Sequence, residues 1–236
     1  MRERLIVALD VPNLNKGKEL IDILEDEVIY YKVGLELFLN TRGEIIDYLK
    51  AKNKKIFLDL KFHDIPNTVA SASKWATSLG VDMFNVHAGG GEEMLKRAKE
   101  AVQEVALRES INPPLLIGVT VLTSFSEEGF KSLGFKTTIP ETVQKWALMC
   151  KKAGLDGVVS SPQEAQEIKR LCGADFYTVC PGVRPLEAEK GDQKRVMTPK
   201  EAVTNGADYL VVGRPINASA DPLLAAKNII TEMEER

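Results

Sequence analysis

Residues 55–68 read KIFLDLKFHDIPNT, a stretch that joins an apolar run to a charged turn and then to a proline. The run at residues 55–60 is typical of a strand that is covered on both faces, as in a parallel sheet. Pro66 is favoured in the first turn of a helix, and it holds the preceding residue in an extended conformation. The stretch therefore predicts a strand that leads through a short turn into a helix, which is the repeating unit of α/β proteins.

The same unit recurs along the whole chain. Seven further short runs, rich in β-branched and other apolar residues, predict strands: LIVAL (5–9), VIYYKV (28–33), MFNVHA (83–88), LLIGVTVL (115–122), GVVSS (157–161), FYTVC (176–180) and YLVVG (209–213). The intervals between these runs are too long for hairpins, and most of them can hold an amphipathic helix. Eight strand–helix units are therefore expected.

The joints between the units carry matching signals. A G-x-D tripeptide precedes a predicted strand four times, at residues 80–82, 154–156, 173–175 and 206–208. Glycine often ends a helix in the left-handed conformation, so each tripeptide predicts a turn from helix to strand. Residues 161–164 (SPQE) and 198–201 (TPKE) each combine an N-cap hydroxyl, a proline and a glutamate, which predicts the start of a helix.

These units predict a single α/β domain over residues 1–236 with the (β/α)8 TIM-barrel fold. The chain has 236 residues, of which 44% are hydrophobic, so it can enclose one large core. A doubly wound open sheet is the alternative, but the turn after the first run, ALDVPNLNKGK (8–18), lacks the GxGxxG pattern. Residues 123–140 and 183–198 are longer than ordinary connections and are candidate lids.

The composition disfavours several classes of function. The net charge is −3, and lysine and arginine are scattered, which argues against a nucleic-acid surface. No apolar run reaches about 18 residues, so no transmembrane helix is expected. The start MRERLIVALDV does not resemble a signal peptide, and three cysteines without CxxC spacing fit reduced thiols in a cytoplasmic protein. Two isolated histidines do not suggest zinc, whereas a carboxylate-bound magnesium stays open.

Active sites of such barrels lie at the carboxyl ends of the strands. Polar residues and one glycine occupy the predicted ends: Asp10, Lys32, Asp59, Lys61, His87, Thr120, Thr123, Ser160, Arg184, Gly213 and Arg214. Because strand side chains alternate, Asp59 and Lys61 are expected to share a face with Phe57 and to point into the barrel mouth, near Lys32. Their alternative role is a structural ion pair.

Asp64 lies beyond the predicted strand end, next to Ile65 and Pro66. It is either a functional carboxylate or the cap of the helix that follows.

A phosphate site is predicted separately. Arg214 follows Gly213 at the end of the eighth run, and the loops after strands seven and eight of barrels often bind phosphate. Arg184 and Gln193, in the long seventh loop, could close over the same anion. The alternative is a structural arginine on a surface turn.

With these residues in place, the sequence closely resembles orotidine 5′-phosphate decarboxylase of the bacterial type. The most specific match is DLKFHDIPNT (59–68) to the family pattern D-x-K-x-x-D-I-P-x-T, and GVTVLTS (118–124), PGVRP (181–185) and VVGRPI (211–216) add to it. The resemblance runs from LIVALD near the start to VVGRPI, so it covers nearly the whole chain. It implies a cytoplasmic, cofactor-free, metal-free homodimer that converts orotidine 5′-monophosphate to uridine 5′-monophosphate and carbon dioxide in de novo pyrimidine biosynthesis.

The resemblance also implies a role for each site residue. Lys61 protonates the pyrimidine carbon, Asp59 lies beside the departing carboxylate, and Lys32 joins the carboxylates into one charge network. Asp64 comes from the partner chain. The residues implied in substrate binding are Asp10, Lys32, Asp59, Ile65, Thr68 (also from the partner), Thr123, Arg184, Gln193, Gly213 and Arg214, the last four at the 5′-phosphate.

Two alternatives remain at this point. The sister families 3-keto-gulonate 6-phosphate decarboxylase and hexulose 6-phosphate synthase share the barrel and the D-x-K-x-x-D portion, but not the IPNT at residues 65–68, and they use magnesium. The second alternative is a catalytically silent barrel that binds a phosphorylated ligand. A lysine placed between two carboxylates argues against it, because binding alone would not require that arrangement.

Overall fold

In the computed structural model, which describes residues 1–185 and 197–235, eight parallel strands close into a barrel in chain order. The strands are β1 (Leu5–Ala8), β2 (Tyr30–Gly34), β3 (Lys55–Phe62), β4 (Met83–His87), β5 (Leu115–Val119), β6 (Gly157–Val159), β7 (Tyr177–Pro181) and β8 (Tyr209–Val212). The predicted TIM-barrel fold is confirmed.

Helices surround the barrel and connect its strands. They are α1 (Leu14–Leu24), α2 (Leu35–Thr41), α3 (Glu44–Ala51), α4 (Pro66–Ser78), α5 (Gly91–Glu109), α6 (Glu127–Ser132), α7 (Ile139–Lys152), α8 (Ala165–Cys172), α9 (Pro199–Thr204), α10 (Arg214–Asn217) and α11 (Pro222–Glu234). Short 3-10 helices lie at Arg2–Arg4, Ala88–Gly90 and Pro162–Glu164. Among the described helices, none is both long enough and apolar enough to cross a membrane.

The buried side chains form two apolar layers, one inside the barrel and one between the strands and the helices. The inner layer contains Ile6, Ala8, Tyr30, Phe57, Met83, Ile117, Val179 and Val211. In β3, Phe57 belongs to this inner layer, whereas Ile56 and Leu58 belong to the outer one. The predicted alternation of β3 is therefore confirmed, and it directs every second residue of the strand into the barrel.

The joints at the amino ends of the strands have the predicted geometry. Gly80, Gly154, Gly173 and Gly206 all have positive φ angles, of 70°, 83°, 91° and 95°. The aspartates of three G-x-D tripeptides each accept a hydrogen bond from the second residue of the preceding strand in the barrel: Asp82 from Ile56 N–H, Asp156 from Leu116 N–H and Asp208 from Thr178 N–H. These aspartates tie neighbouring strands together at the end of the barrel that is opposite to the expected site.

Strand β5 is shorter than its apolar run predicts. It ends at Val119, whereas the run extends to residue 122. Its neighbour β6 ends at Val159, because Ser161 caps the 3-10 helix that follows, so β5 has no further strand to pair with. Residues 120–122 therefore lead out of the sheet and contribute to the loop above the barrel.

The pairing of β3 with β4 is irregular near the carboxyl end. Leu58 lies opposite Phe84 and Phe62 lies opposite Val86, so the register shifts between these two pairs. Within the shifted segment Lys61 has a φ angle of 52°, in the left-handed region that non-glycine residues seldom occupy. Backbone strain of this kind is concentrated at functional sites.

Candidate active site

The mouth of the barrel contains a cavity of about 480 Å³ at the carboxyl ends of the strands. Its wall includes eight of the residues predicted from the sequence: Asp10, Lys32, Asp59, Lys61, Thr123, Arg184, Gly213 and Arg214. Apolar side chains, among them Phe57, Val119 and Val159, complete the wall. An apolar cavity with a few convergent charged groups is the usual form of a small-molecule site.

Four charged side chains form a continuous row in this cavity. The Nζ atom of Lys61 lies 2.6 Å from Oδ1 of Asp59. The Nζ atom of Lys32 lies 3.4 Å from Oδ2 of the same carboxylate and 3.0 Å from Oδ1 of Asp10. Because β1, β2 and β3 are neighbours in the barrel, their carboxyl ends bring together residues that are far apart in the sequence.

The centre of the row is buried. Lys32 and Asp59 are 9% and 8% exposed. Burial by itself lowers the pKa of Lys32, but the charges of Asp59 and Asp10 outweigh burial and raise the pKa. Burial likewise favours a higher pKa for Asp59, but the charges of Lys32 and Lys61 and the hydrogen bonds to that carboxylate lower it. Both groups are therefore held in their charged forms.

Sequence reasoning missed Asn85, which holds two members of the site. Its side chain on β4 donates from Nδ2 to Oδ1 of Asp59 at 2.7 Å, and its Oδ1 atom accepts the backbone N–H of Lys61 at 2.8 Å. The same alternation that identified Asp59 places Asn85 on the inner face with Met83. A polar residue in the middle of the apolar run MFNVHA was the available signal.

Two glycines leave room for the charged row. A Cβ atom on Gly34 would lie 3.0 Å from Nζ of Lys32, and one on Gly213 would lie 3.4 Å from Oδ2 of Asp10. Side chains at these positions would crowd the charged groups. The glycine at position 213 therefore has a packing role beside the row, in addition to its predicted place near an anion.

Two arginines lie on the rim formed by β7 and β8. Arg184 is buried, and burial together with the nearby charge of Arg214 lowers the pKa of its guanidinium. The backbone N–H of Arg184 donates to the carbonyl of Met197 at 3.0 Å, which fixes this part of the chain against the segment before α9. Two cations that repel each other across a cavity rim form a suitable site for an anion. The third predicted phosphate ligand, Gln193, lies outside the described residues.

Asp64, Ile65 and Thr68 lie on the surface rather than in the cavity wall. Oδ1 of Asp64 accepts the N–H of Ile65 at 2.7 Å, whereas the N-cap residue of α4 is Ile65, without a side-chain cap. The interpretation of Asp64 as the N-cap of α4 is therefore wrong. Within residues 1–185 and 197–235 no cation forms an ion pair with Asp64, and Ile65 is 67% exposed.

The remaining polar residues at the strand ends lie outside the cavity wall. Thr120 and Ser160 are buried outside the cavity wall, and the hydroxyl of Thr120 donates to the carbonyl of Val159 at 2.7 Å. The ring of His87 lies 5.3 Å from that of His63, measured between centroids. The hydrogen bond of Thr120 to the carbonyl of Val159 gives this residue a structural role at the strand ends.

The family model and the relatives of known name agree on one protein family. The model of the orotidine 5′-phosphate decarboxylase / HUMPS family matches residues 3–229. The chain is 52% identical over 232 residues to an orotidine 5′-phosphate decarboxylase of Nostoc sp., covering 98% of this chain and 97% of the relative. It is 51% identical over 234 residues to the enzyme of that name from Carboxydothermus hydrogenoformans, covering 99% and 97% of the two chains.

Solved structures agree with this result. The crystal structure of orotidine 5′-phosphate decarboxylase from Lactobacillus acidophilus is similar with a TM-score of 0.86 and 37% identity, and the match covers 98% of this chain and 99% of that one. The enzyme from Methanocaldococcus jannaschii, solved in complex with the inhibitor BMP, is similar with a TM-score of 0.76 and 26% identity, over 98% and 99% of the two chains. The sequence and the fold together show that this chain belongs to the orotidine 5′-phosphate decarboxylase / HUMPS family.

Proposed function

We propose that this chain is a carboxy-lyase that converts orotidine 5′-monophosphate to uridine 5′-monophosphate and carbon dioxide, with Lys61 as the proton donor. The observation that carries this proposal is the row of Lys61, Asp59, Lys32 and Asp10 inside the cavity. The relatives with 52% and 51% identity support it, because both are named for this reaction.

The chemistry requires a directed cation. Loss of carbon dioxide from C6 of the pyrimidine leaves a carbanion that no adjacent carbonyl can delocalise as an ordinary enolate. The negative charge must therefore be stabilised where it forms. A unit charge pair about 4 Å apart contributes roughly 4 kcal/mol at an effective dielectric constant near 20. The ammonium of Lys61 supplies such a charge, and it can also donate the proton that completes the product.

Asp59 orients the proton donor. Its Oδ1 atom lies 2.6 Å from Nζ of Lys61, so the ammonium is held in one direction before the substrate binds. Because the low pKa of Asp59 keeps it ionised, we also place this carboxylate beside the departing carboxylate of the substrate. Repulsion between the two would act in the ground state and would be relieved as carbon dioxide leaves.

In the proposed mechanism, binding energy from the phosphate group supplies part of the rate enhancement that the Lys61 charge does not provide. One charge pair falls far short of the roughly 20 kcal/mol that enzymes of very slow reactions provide. In the proposed complex Arg184 and Arg214 hold the 5′-phosphate with Gln193 and Gly213, Thr123 lies near the pyrimidine, and Asp10 and Lys32 contact the ribose. Binding at a distance from the reacting carbon can then organise the site and exclude water from it.

We further propose that two copies of the chain complete each other's sites. Asp64 and Thr68 are exposed at the start of α4, and Asp64 has no ion-pair partner among the described residues of its own chain. Exposed apolar side chains lie on the neighbouring helices α2 and α4: Leu35, Leu39 and Trp75, in addition to Ile65. A second copy would cover this apolar surface, and it would receive Asp64, Ile65 and Thr68 at its own cavity.

A magnesium-dependent sugar-phosphate enzyme is the competing candidate within the same family. Lys32 disfavours it, because its ammonium already lies between Asp10 and Asp59, where a divalent cation would need the same carboxylate oxygens. The two candidates are separated by assaying the decarboxylation in excess EDTA. Full activity is expected, and loss of activity that magnesium restores would favour the metal-dependent enzyme.

The primary test follows the ultraviolet absorbance of orotidine 5′-monophosphate after the purified chain is added. Conversion to uridine 5′-monophosphate is expected. Absence of conversion by a folded dimer would refute the proposed reaction.

The shared site has its own test in mixed dimers of Lys61→Met and Asp64→Asn subunits. Each variant alone has two defective sites, whereas a mixed dimer has one site with both native residues. Random mixing should therefore restore about a quarter of the native activity. No recovery on mixing would show that each site draws both residues from one chain.

A further inference from the structure

Asn85 is a buried polar residue that lies outside the cavity wall. It lies in the centre of β4 and is 1% exposed. Both ends of its side-chain amide are used, Nδ2 on Asp59 at 2.7 Å and Oδ1 on the N–H of Lys61 at 2.8 Å. Only one orientation of the amide satisfies both partners, because a carboxylate requires a donor and a backbone N–H requires an acceptor.

One of these partners, the backbone N–H of Lys61, lies where the sheet is interrupted. The register of β3 and β4 shifts between Leu58 and Phe62, so Lys61 takes its acceptor from a side chain rather than from the β4 backbone. Lys61 also has a φ angle of 52°, a conformation that costs a non-glycine residue about 1 kcal/mol or more. The N–H of Lys61 donates to Oδ1 of Asn85, and this bond stabilises the conformation that sets the direction in which the lysine side chain leaves the strand.

The other partner, Asp59, is the carboxylate that directs the lysine ammonium. Oδ1 of Asp59 receives Nδ2 of Asn85 at 2.7 Å and Nζ of Lys61 at 2.6 Å, while Oδ2 faces Lys32 at 3.4 Å. A carboxylate with a fixed donor on one side cannot rotate without breaking that bond. Asn85 therefore restrains Lys61 at both ends, through its backbone and through its ammonium.

We propose that Asn85 is a positioning residue that sets the geometry of the Lys61–Asp59 pair for proton transfer. This inference rests on the proposed decarboxylation. Asn85 does not line the cavity, so it acts on the rate of the chemical step rather than on substrate affinity. The side-chain amide of Asn85 bonds to Asp59 and to the backbone of Lys61, not to Arg184 or Arg214, which hold the phosphate in the proposed complex.

Two substitutions separate the two hydrogen bonds. Asn85→Leu has a similar shape and removes both bonds. Asn85→Asp retains an acceptor for the N–H of Lys61, but it donates to Asp59 only when the new carboxyl is protonated. Since two carboxyl groups in contact cannot both ionise easily, the new carboxyl has a raised pKa and introduces a second ionisation. Asn205→Leu is the matched control, because its Nδ2 donates to the carbonyl of Pro162 at 2.5 Å, outside the cavity.

The assay measures kcat and KM for orotidine 5′-monophosphate across a pH series, together with the thermal midpoint of each variant. Asn85→Leu should lower kcat by roughly 10²-fold, since a small misplacement of a reacting group has effects of that size. Its KM should stay within about threefold of the native value. Asn85→Asp should be more active at low pH and lose activity as the pH rises, whereas the native enzyme and Asn205→Leu should show no such added ionisation.

The outcomes are distinct. If Asn85→Leu keeps the native kcat per folded site, the positioning role is overturned. This holds also when the variant loses thermal stability, because Asn85 would then have only a structural role. If Asn85→Leu does not fold, the pH profile of Asn85→Asp decides, and a profile that matches the native one would contradict the inference. A native chain that does not convert the substrate at all refutes the proposed function instead, and this result is visible before any variant is compared.

Discussion

Replacement of Lys61 by methionine tests the central element of the proposed mechanism. Methionine retains much of the length and apolar volume of the lysine side chain, so the substitution removes mainly the ammonium. The charge on Lys61 is worth roughly 4 kcal/mol to a carbanion about 4 Å away, at an effective dielectric constant near 20. Since about 1.4 kcal/mol corresponds to a factor of ten, the electrostatic loss alone is about 10³-fold.

Loss of the proton adds to this effect. General acid catalysis contributes about 10² to 10⁴-fold, so kcat of Lys61→Met should fall by roughly 10⁵-fold or more. The fold should survive, because Asp59 keeps Lys32 at 3.4 Å and the amide of Asn85 at 2.7 Å. The buried carboxylate is therefore still compensated, and the thermal midpoint should change by only a few degrees.

The assay combines single-turnover absorbance measurements with thermal denaturation and sedimentation of the same sample. Lys52→Met is the matched control, since Nζ of Lys52 lies 2.9 Å from Oδ1 of Asp22 at the opposite end of the barrel. The control should retain native kcat. Turnover by Lys61→Met within about tenfold of the native rate, in a protein that remains folded, would refute the assignment of Lys61 as proton donor.

Three further predictions concern the phosphate, the buried carboxylate and the glycine beside the charged row. Arg214→Ala should raise KM and lower kcat/KM for orotidine 5′-monophosphate by about 10 to 100-fold, the effect of one charged hydrogen bond, and equal activity on the unphosphorylated nucleoside would contradict the phosphate site. Asp59 has a lowered pKa in the fold, so its stabilising contribution is present above the pKa of the unfolded carboxyl and is lost as the pH falls through the folded pKa. Asp59→Asn should therefore be less stable than the native chain at neutral pH, with a difference in urea unfolding that shrinks in acid, and a difference independent of pH would be inconsistent with this linkage. Gly34 has a φ angle of −91°, which any residue can adopt, so Gly34→Ala should fold normally but displace Nζ of Lys32 and lower kcat about tenfold, and native kcat would show that the lysine can move without consequence.

Local sequence patterns determined the fold and the location of the candidate site. The apolar runs, the glycines of the G-x-D joints and the capping boxes act over a few residues, so their geometry can be predicted without knowledge of the partners. Alternation in β3 likewise separated Phe57 from Ile56 and Leu58, because side chains on a strand point to opposite faces. The charged residues at the carboxyl ends of the strands were then candidates for the active site, because barrels carry their active sites at these ends.

The tertiary structure decided how these charges are connected. Lys32 contacts both Asp10 and Asp59 because the strand order places β2 between β1 and β3, and these distances depend on the packed sheet. The register shift between β3 and β4 brings Asn85 to the backbone of Lys61, at a conformation that strand periodicity would not predict. A side-chain bond across two strands depends on register and closure, and both are properties of the packed barrel rather than of any single segment.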